Sequence, residues 1–260
     1  MALIQYQIDA FTDRPFAGNP AAVVPLQAWL DDALMQAIAA ENNLSETAFF
    51  VPQGEAYGLR WFTPTSEVKL CGHATLATAH ALFNELQVDR DILHFDSRSG
   101  RLTVTRHGNA LQMDFPVWPA RALASDPGIG AALGARPTDV FETDNCLLAV
   151  FANEASIAAL TPDMPAVAAL HPFGLIVTAP GDRHDFVSRL FAPRVGIPED
   201  PVTGAAHCAL TPLWAKRLNK TTLKARQIST RGGELECELS DDRVLLRGQA
   251  VTVIESRLRL

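Results

Sequence analysis

Apolar and polar positions alternate along residues 3–10, and this period of two predicts an opening strand. Residues 21–25, 47–51 and 59–62 are short apolar or β-branched runs bounded by turn residues, and they predict further strands. Between them, residues 31–42 place Leu34, Ile38 and Ala39 at helical spacing behind two aspartates, which favours a helix start. Residues 74–86 are alanine-rich and apolar on nearly every face, the mark of a helix buried all round. Strands are predicted at 92–95, 101–105 and 111–115, followed by a Pro- and Ala-rich passage over 116–137.

The second half runs through a similar plan. Strands are expected at 146–151, 175–178, 185–191, 227–230, 235–239, 244–248 and 251–254. Helical pieces are expected at 154–160 and 167–170, with a longer helix at 205–218. Trp61-Phe62-Thr63-Pro64 matches Leu190-Phe191-Ala192-Pro193, and Ser97-Arg98-Ser99-Gly100 matches Thr230-Arg231-Gly232-Gly233. Each match brackets a glycine-containing loop and an alanine-rich helix, and each Arg-containing turn is expected to serve a hairpin. A repeat this long implies a duplicated domain rather than a solenoid unit. The expected class is α+β, with each half a barrel-like sheet wrapped around a central helix. The halves are 1–116 (helix 74–86) and 117–260 (helix 205–218), the last strand able to cross back to the first half. Two helix starts facing one another across a cleft would make a ligand site.

Composition narrows the functional classes. Among 260 residues, a net charge of −7 argues against nucleic acid or an anionic membrane as partner. No apolar run reaches the ~20 residues of a membrane span, and residues 1–13 lack the pattern of a signal peptide. Cys71, Cys146, Cys208 and Cys237 show no CxxC spacing, so a cytoplasmic location, free thiols and no metal site are expected. Neither a P-loop nor a strand-borne GxGxxG occurs, so no cofactor is expected.

Cofactor-free proton transfer is the chemistry left. Glu46 stands beside the apolar run Ala48-Phe49-Phe50-Val51, which would desolvate it and suit it to general acid/base work. His73 stands at a helix start, able to shuttle a proton or to bind a substrate carboxylate. Asp200 precedes Pro201 at the second helix start. It either complements the helix dipole or serves as a substrate acceptor or second acid/base. Glu199 is the weaker of that acidic pair. Thr203 is a potential N-cap. Cys71 resembles a thiol poised at a helix N-terminus, but the equivalent loop offers Pro201, so paired-thiol chemistry is not expected. His80, His207 and Cys208 read as core or interface residues.

These motifs carry a resemblance. Gly18-Asn19-Pro20, Asn43-Leu44-Ser45-Glu46-Thr47, Phe62-Thr63-Pro64, Cys71-Gly72-His73-Ala74-Thr75, Phe191-Ala192-Pro193, Glu199-Asp200-Pro201-Val202-Thr203-Gly204 and Arg231-Gly232-Gly233-Glu234-Leu235 resemble the phenazine-biosynthesis PhzF-like family. The resemblance covers essentially the whole chain in order. It implies a diaminopimelate epimerase-like fold, a homodimer, and an isomerase that moves a proton on a small molecule without a cofactor, with Glu46 as general acid/base. It carries over His73 and Asp200 as catalytic residues. The substrate-binding set it implies is Asn19, Gly72, Ala74, Thr203, Gly204 and Ala205. Two positions depart from the phenazine enzyme: Cys71 replaces an Ala before Gly-His, and Ala205 replaces a Ser after Thr-Gly. The phenazine precursor therefore does not transfer as substrate. An amino- or hydroxy-acid epimerase working through Cys71, and a non-catalytic binding protein, are the competing expectations.

Overall fold

The computed structural model describes residues 2–260, which cluster into two compact units, 2–114 with 247–260 and 115–246. In the first unit, β1 (Ala2–Ala10) pairs antiparallel with β2 (Asn19–Pro25), and β2 runs parallel to β3 (Glu46–Gln53). Helix α1 (Asp32–Asn42) makes that parallel crossover possible. The sheet continues through β4 (Ala56–Phe62), antiparallel to β3, then β6 (Ile92–Ser97), parallel to β4, then the antiparallel β7 (Gly100–His107) and β8 (Ala110–Pro116). A two-residue strand β5 (Glu67–Val68) caps the end of β4.

In the second unit, β9 (Arg121–Ala122), α3 (Ile129–Leu133) and β10 (Asp139–Glu142) lead into β11 (Leu147–Val150), helices α4 (Glu154–Ala158) and α5 (Met164–Leu170), and β12 (Leu175–Pro180). Next come β13 (Phe186–Ala192), β14 (Ile197–Asp200), α6 (Gly204–Leu218), β15 (Thr222–Gln227) and β16 (Gly233–Ser240). Strand β17 (Arg243–Gly248) then returns the chain to the first unit, where β18 (Ala250–Arg259) pairs antiparallel with β1. The order β10-β11-β12-β13-β15-β16 repeats β1-β2-β3-β4-β6-β7 with the same alternation of antiparallel and parallel neighbours. Strand β14 caps β13 as β5 caps β4.

Several expectations are corrected. The strand expected over 227–230 is the end of β15 followed by a loop: Gln227 is the last residue paired, with Ser188 on β13 and Gly233 on β16, and its side chain bonds the loop before α6. Glu199 and Asp200 belong to β14 rather than to a loop. The passage 116–137 contains β9 and α3, both too short for a periodic signal. Between Gly72 and Glu85 the helix starts two residues before the expected position, and only α2 (Gly72–His80) is α-helical. Its last turn, Ala81–Glu85, is π-helical, closed by the Leu86 amide donating to the Ala81 carbonyl at 2.9 Å.

Buried apolar surface sets these positions. Every residue from His73 to Ala79 is buried, and α2 packs on β1, β2, β3 and β18. On the other side of the first sheet, Met35 and Ile38 of α1 pack against Val24, Phe49, Val51 and Phe62. In the second unit Leu147, Ala149, Leu175, Val177, Val187 and Phe191 pack against Ile129, Leu133, Ile157 and Val167. Helix α6 tolerates Pro212 in its interior. Proline lacks the amide that would bond Cys208, and the Trp118 amide donates to that carbonyl instead, at 3.0 Å.

The repeat extends to a clamp that no local motif shows. In the first unit Arg60 makes a bidentate pair with Glu67 on β5, both bonds 2.8 Å, and its guanidinium lies 5.1 Å from the Phe62 ring centre. In the second, Arg189 pairs with Glu199 on β14 at 2.7 and 3.0 Å and lies 4.8 Å from Phe191. Arg189 also donates to the carbonyls of Ile157 and Leu160. Each clamp ties the short strand that leads into a buried helix onto the preceding long strand. Glu199 is thereby committed to structure. Replacing Arg189 by Met strands a largely buried carboxylate and is expected to cost about 3 kcal/mol in urea unfolding. The double replacement Arg189→Met with Glu199→Leu should cost less than the single one.

Candidate active site

Strand register brings the first cluster together. Ala21 on β2 lies beside Glu46 on β3, so Asn19, at the first position of β2, sits near the start of β3. Gly18 lets β2 start tightly against the end of β1: its φ is +63°, and a Cβ there would lie 2.1 Å from the Ala10 carbonyl oxygen. The buried helix α2 then presents its N-terminus to the same place, with Cys71 as N-cap and Gly72 and His73 in its first turn.

His73 is the hub. Its Nε2 lies 3.3 Å from Glu46 Oε2. Its Nδ1 lies 3.3 Å from Asn19 Nδ2 and 3.5 Å from Cys71 Sγ. Asn19, Glu46, Cys71 and His73 are all buried, Glu46 being 9% exposed. Burial drives the His73 pKa down to about 3, against a weaker upward pull from a hydrogen bond with the Pro20 backbone. The imidazole is therefore neutral at physiological pH, able to give a proton at one nitrogen and accept at the other. Ala74 follows it, fully buried. Residues 46, 71 and 73 lack metal spacing in the sequence, yet one ligand atom from each lies within 4.8 Å of the others. Their convergence depends on strand register, so no linear motif signals it.

Asp200, Thr203, Gly204 and Ala205 belong to the second unit, where they form a cluster of their own. Thr203 is the N-cap of α6 by position, but its side chain makes no cap bond. Its hydroxyl donates instead to the Asp200 carboxylate, which is buried. Gly204 is the first residue of α6 and is buried, whereas Ala205 beside it is half-buried. The loop before them is held by Gln227, fully buried, whose amide nitrogen donates to the Asp200 carbonyl at 2.6 Å and whose oxygen accepts from the Thr203 amide at 2.9 Å. Ser229 donates to the Pro201 carbonyl at 2.7 Å. Gln227 carries no linear motif; its one signal is a place on the buried side of an alternating strand, in register with Leu223 and Ala225.

Aligning the helix starts Gly72 and Gly204 makes Thr203, not Pro201, the counterpart of Cys71. The counterpart is still not a thiol, so the pairing of one cysteine per helix start fails for a different residue. At the fourth helical positions Thr75 Oγ1 and His207 Nδ1 both bond back to the N-cap carbonyl, at 2.6 and 2.8 Å. The other three cysteines are buried and inert: burial pushes Cys146 up to about 11, and Cys208 and Cys237 up to about 12. His80 is a structural residue, bonded to Thr252 and Asn84.

The fold defines the class: an α+β, diaminopimelate epimerase-like protein, built from mixed sheets over buried helices. The chain belongs to the phenazine biosynthesis-like protein family, whose model matches residues 8–256. An uncharacterized isomerase of Pseudomonas aeruginosa is 52% identical over the whole of both chains. The crystal structure of a phenazine biosynthesis PhzF-family protein from Enterococcus faecalis aligns with a TM-score of 0.97 at 48% identity, covering 100% of each chain. A probable proline racemase from Agrobacterium radiobacter shares the fold alone, with a TM-score of 0.67 at 13% identity over 99% of this chain and 93% of that one. Among the described residues no helix is long and apolar enough to cross a membrane.

His207 generates a test of the second unit. The ring is fully buried, its Nδ1 donates to the Thr203 carbonyl, and its Nε2 has no hydrogen-bond partner. Burial lowers its pKa to about 4 from an ordinary 6.5. The unfolded chain therefore binds the extra proton between these values, and stability falls as pH drops through that window. Between pH 7 and 5 this residue should remove about 2 kcal/mol of stability. Urea midpoints should show a shallower pH dependence in His207→Asn than in the wild type.

Proposed function

We propose that the protein is a cofactor-independent isomerase that moves a proton on a small, carboxylate-bearing cyclic or amino-acid-like metabolite, with Glu46 as the general acid/base. The observation that carries this reading is the buried Glu46 carboxylate held 3.3 Å from a neutral imidazole. A carboxylate in that setting takes a proton from a carbon next to an activating group and returns it to a conjugated carbon of the same molecule. His73 orients it and, being neutral, does not hold it permanently as the partner of a cation. The amides at the start of α2, around Gly72 and Ala74, suit a substrate carboxylate or a developing anion. Asn19 and Cys71 line the same cluster. Asp200 is proposed as an acceptor for a substrate amine or hydroxyl, with the Thr203-Gly204 helix start and Ala205 as further substrate contacts. The relatives named isomerases support the reaction class. We also propose a homodimer in the cytoplasm, where four buried free cysteines would stay reduced.

One observation favours a second reading. Cys71 Sγ stands 3.5 Å from His73 Nδ1, an arrangement in which the thiol itself could exchange a substrate α-proton, as an epimerase requires. Small cyclic and aromatic-like amino and hydroxy acids, screened by thermal shift and then incubated in D₂O, separate the two. Glu46→Gln should lower deuterium incorporation by ~10²–10⁴-fold with folding intact, and Cys71→Ser should leave it largely unchanged. Full exchange in Glu46→Gln would remove the assignment. Loss confined to Cys71→Ser would favour the epimerase.

A further inference from the structure

We propose that Cys71, His73 and Glu46 form a three-ligand site for a soft divalent cation, Zn²⁺, whose binding blocks the proton transfer assigned to Glu46. The inhibitory consequence rests on the function proposed above; the binding itself does not.

The donor set supports the cation. A thiol, an imidazole and a carboxylate converge with one ligand atom from each within 4.8 Å of the others. Tetrahedral zinc, with Zn–S near ~2.3 Å and Zn–N near ~2.05 Å, separates sulfur and nitrogen ligands by about 3.5 Å and nitrogen and oxygen ligands by about 3.3 Å. Sγ of Cys71 lies 3.5 Å from Nδ1 of His73, and Oε2 of Glu46 lies 3.3 Å from Nε2. These two contacts use different ring nitrogens. One ion therefore requires the Glu46 side chain or the imidazole to turn until a single nitrogen serves both.

Charge and burial favour the same ion. Binding replaces the thiol proton, Cys–SH + Zn²⁺ → Cys–S–Zn⁺ + H⁺, with the proton released to solvent. Thiolate and carboxylate together then neutralise the dication, so the buried assembly carries no net charge. A single oxygen donor beside sulfur and nitrogen is a poor set for Mg²⁺ or Ca²⁺, which take several oxygens. Three protein ligands leave a fourth position for water or a substrate carboxylate. With its carboxylate on the metal, Glu46 is no longer a base.

Co²⁺ is the probe, because thiolate-bound tetrahedral cobalt has a charge-transfer band in the near ultraviolet and intense visible bands. Chelator-treated full-length protein, kept reduced, is titrated with Co²⁺, and Zn²⁺ is then added in competition. The expected result is one equivalent bound with a thiolate band, displaced by Zn²⁺ and not by Mg²⁺. Cys71→Ser and Cys71→Ala should abolish the band, and Glu46→Gln should weaken binding at least tenfold. Cys146→Ser should change nothing. Absence of the band in the wild type, or its persistence in both Cys71 variants, overturns the site. Deuterium exchange is read separately on the metal-free protein, so loss of the isomerase assignment leaves the cobalt result standing, and the reverse holds too.

Discussion

The first unit depends on covering a helix that is buried on every side. A helix with one apolar stripe can lie on a flat sheet and keep its other face in water. Helix α2, buried from His73 to Ala79, has no face to spare for water. Each fully buried aliphatic such as Leu76 is worth about 1.5–3 kcal/mol, so the sheet gains by folding over the helix from several sides. Packing of α2 on β1, β2, β3 and β18 is that coverage, and it brings the last strand of the chain back to the first.

The same constraint delivers the chemistry. A helix enclosed along its length exposes its polar amide groups only at its ends. The start of α2 therefore meets the first residues of β2 and β3, where Asn19 and Glu46 stand. A carboxylate placed there is desolvated by the core that encloses the helix, and the imidazole beside it is kept neutral for the same reason. The clamps Arg60–Glu67 and Arg189–Glu199 fasten the short strands ahead of the two helices, so neither helix start depends on a hydrophobic contact alone.

Comparing the two helix starts shows how one scaffold is specialised. The residue at N4 bonds the N-cap carbonyl in both, through Thr75 in one and His207 in the other. The N-caps differ more. Cys71 leaves its sulfur against an imidazole, whereas Thr203 turns its hydroxyl onto Asp200, with Gln227 bracing the loop from behind. A thiol at one start and a hydroxyl-bound carboxylate at the other are different chemistries on the same backbone.

Hydrophobic patterning determined most of the strands and the two long helices, because these features come from which residues must leave water, and matched local motifs gave the internal repeat. Local motifs likewise named Glu46, His73, Asp200 and the glycines at the helix starts. Tertiary structure decided what each of these touches. The bracing of the 200–203 loop by Gln227 and the pairing of Glu199 and Asp200 with β13 depend on partners in other elements, whereas the π-helical turn after His80 and the Thr203–Asp200 bond are local contacts that no periodicity marks. The convergence of Glu46, Cys71 and His73 is of the first kind. It follows from the pairing of β2 with β3 and from the burial of α2, and neither constraint is written in the spacing of the three residues.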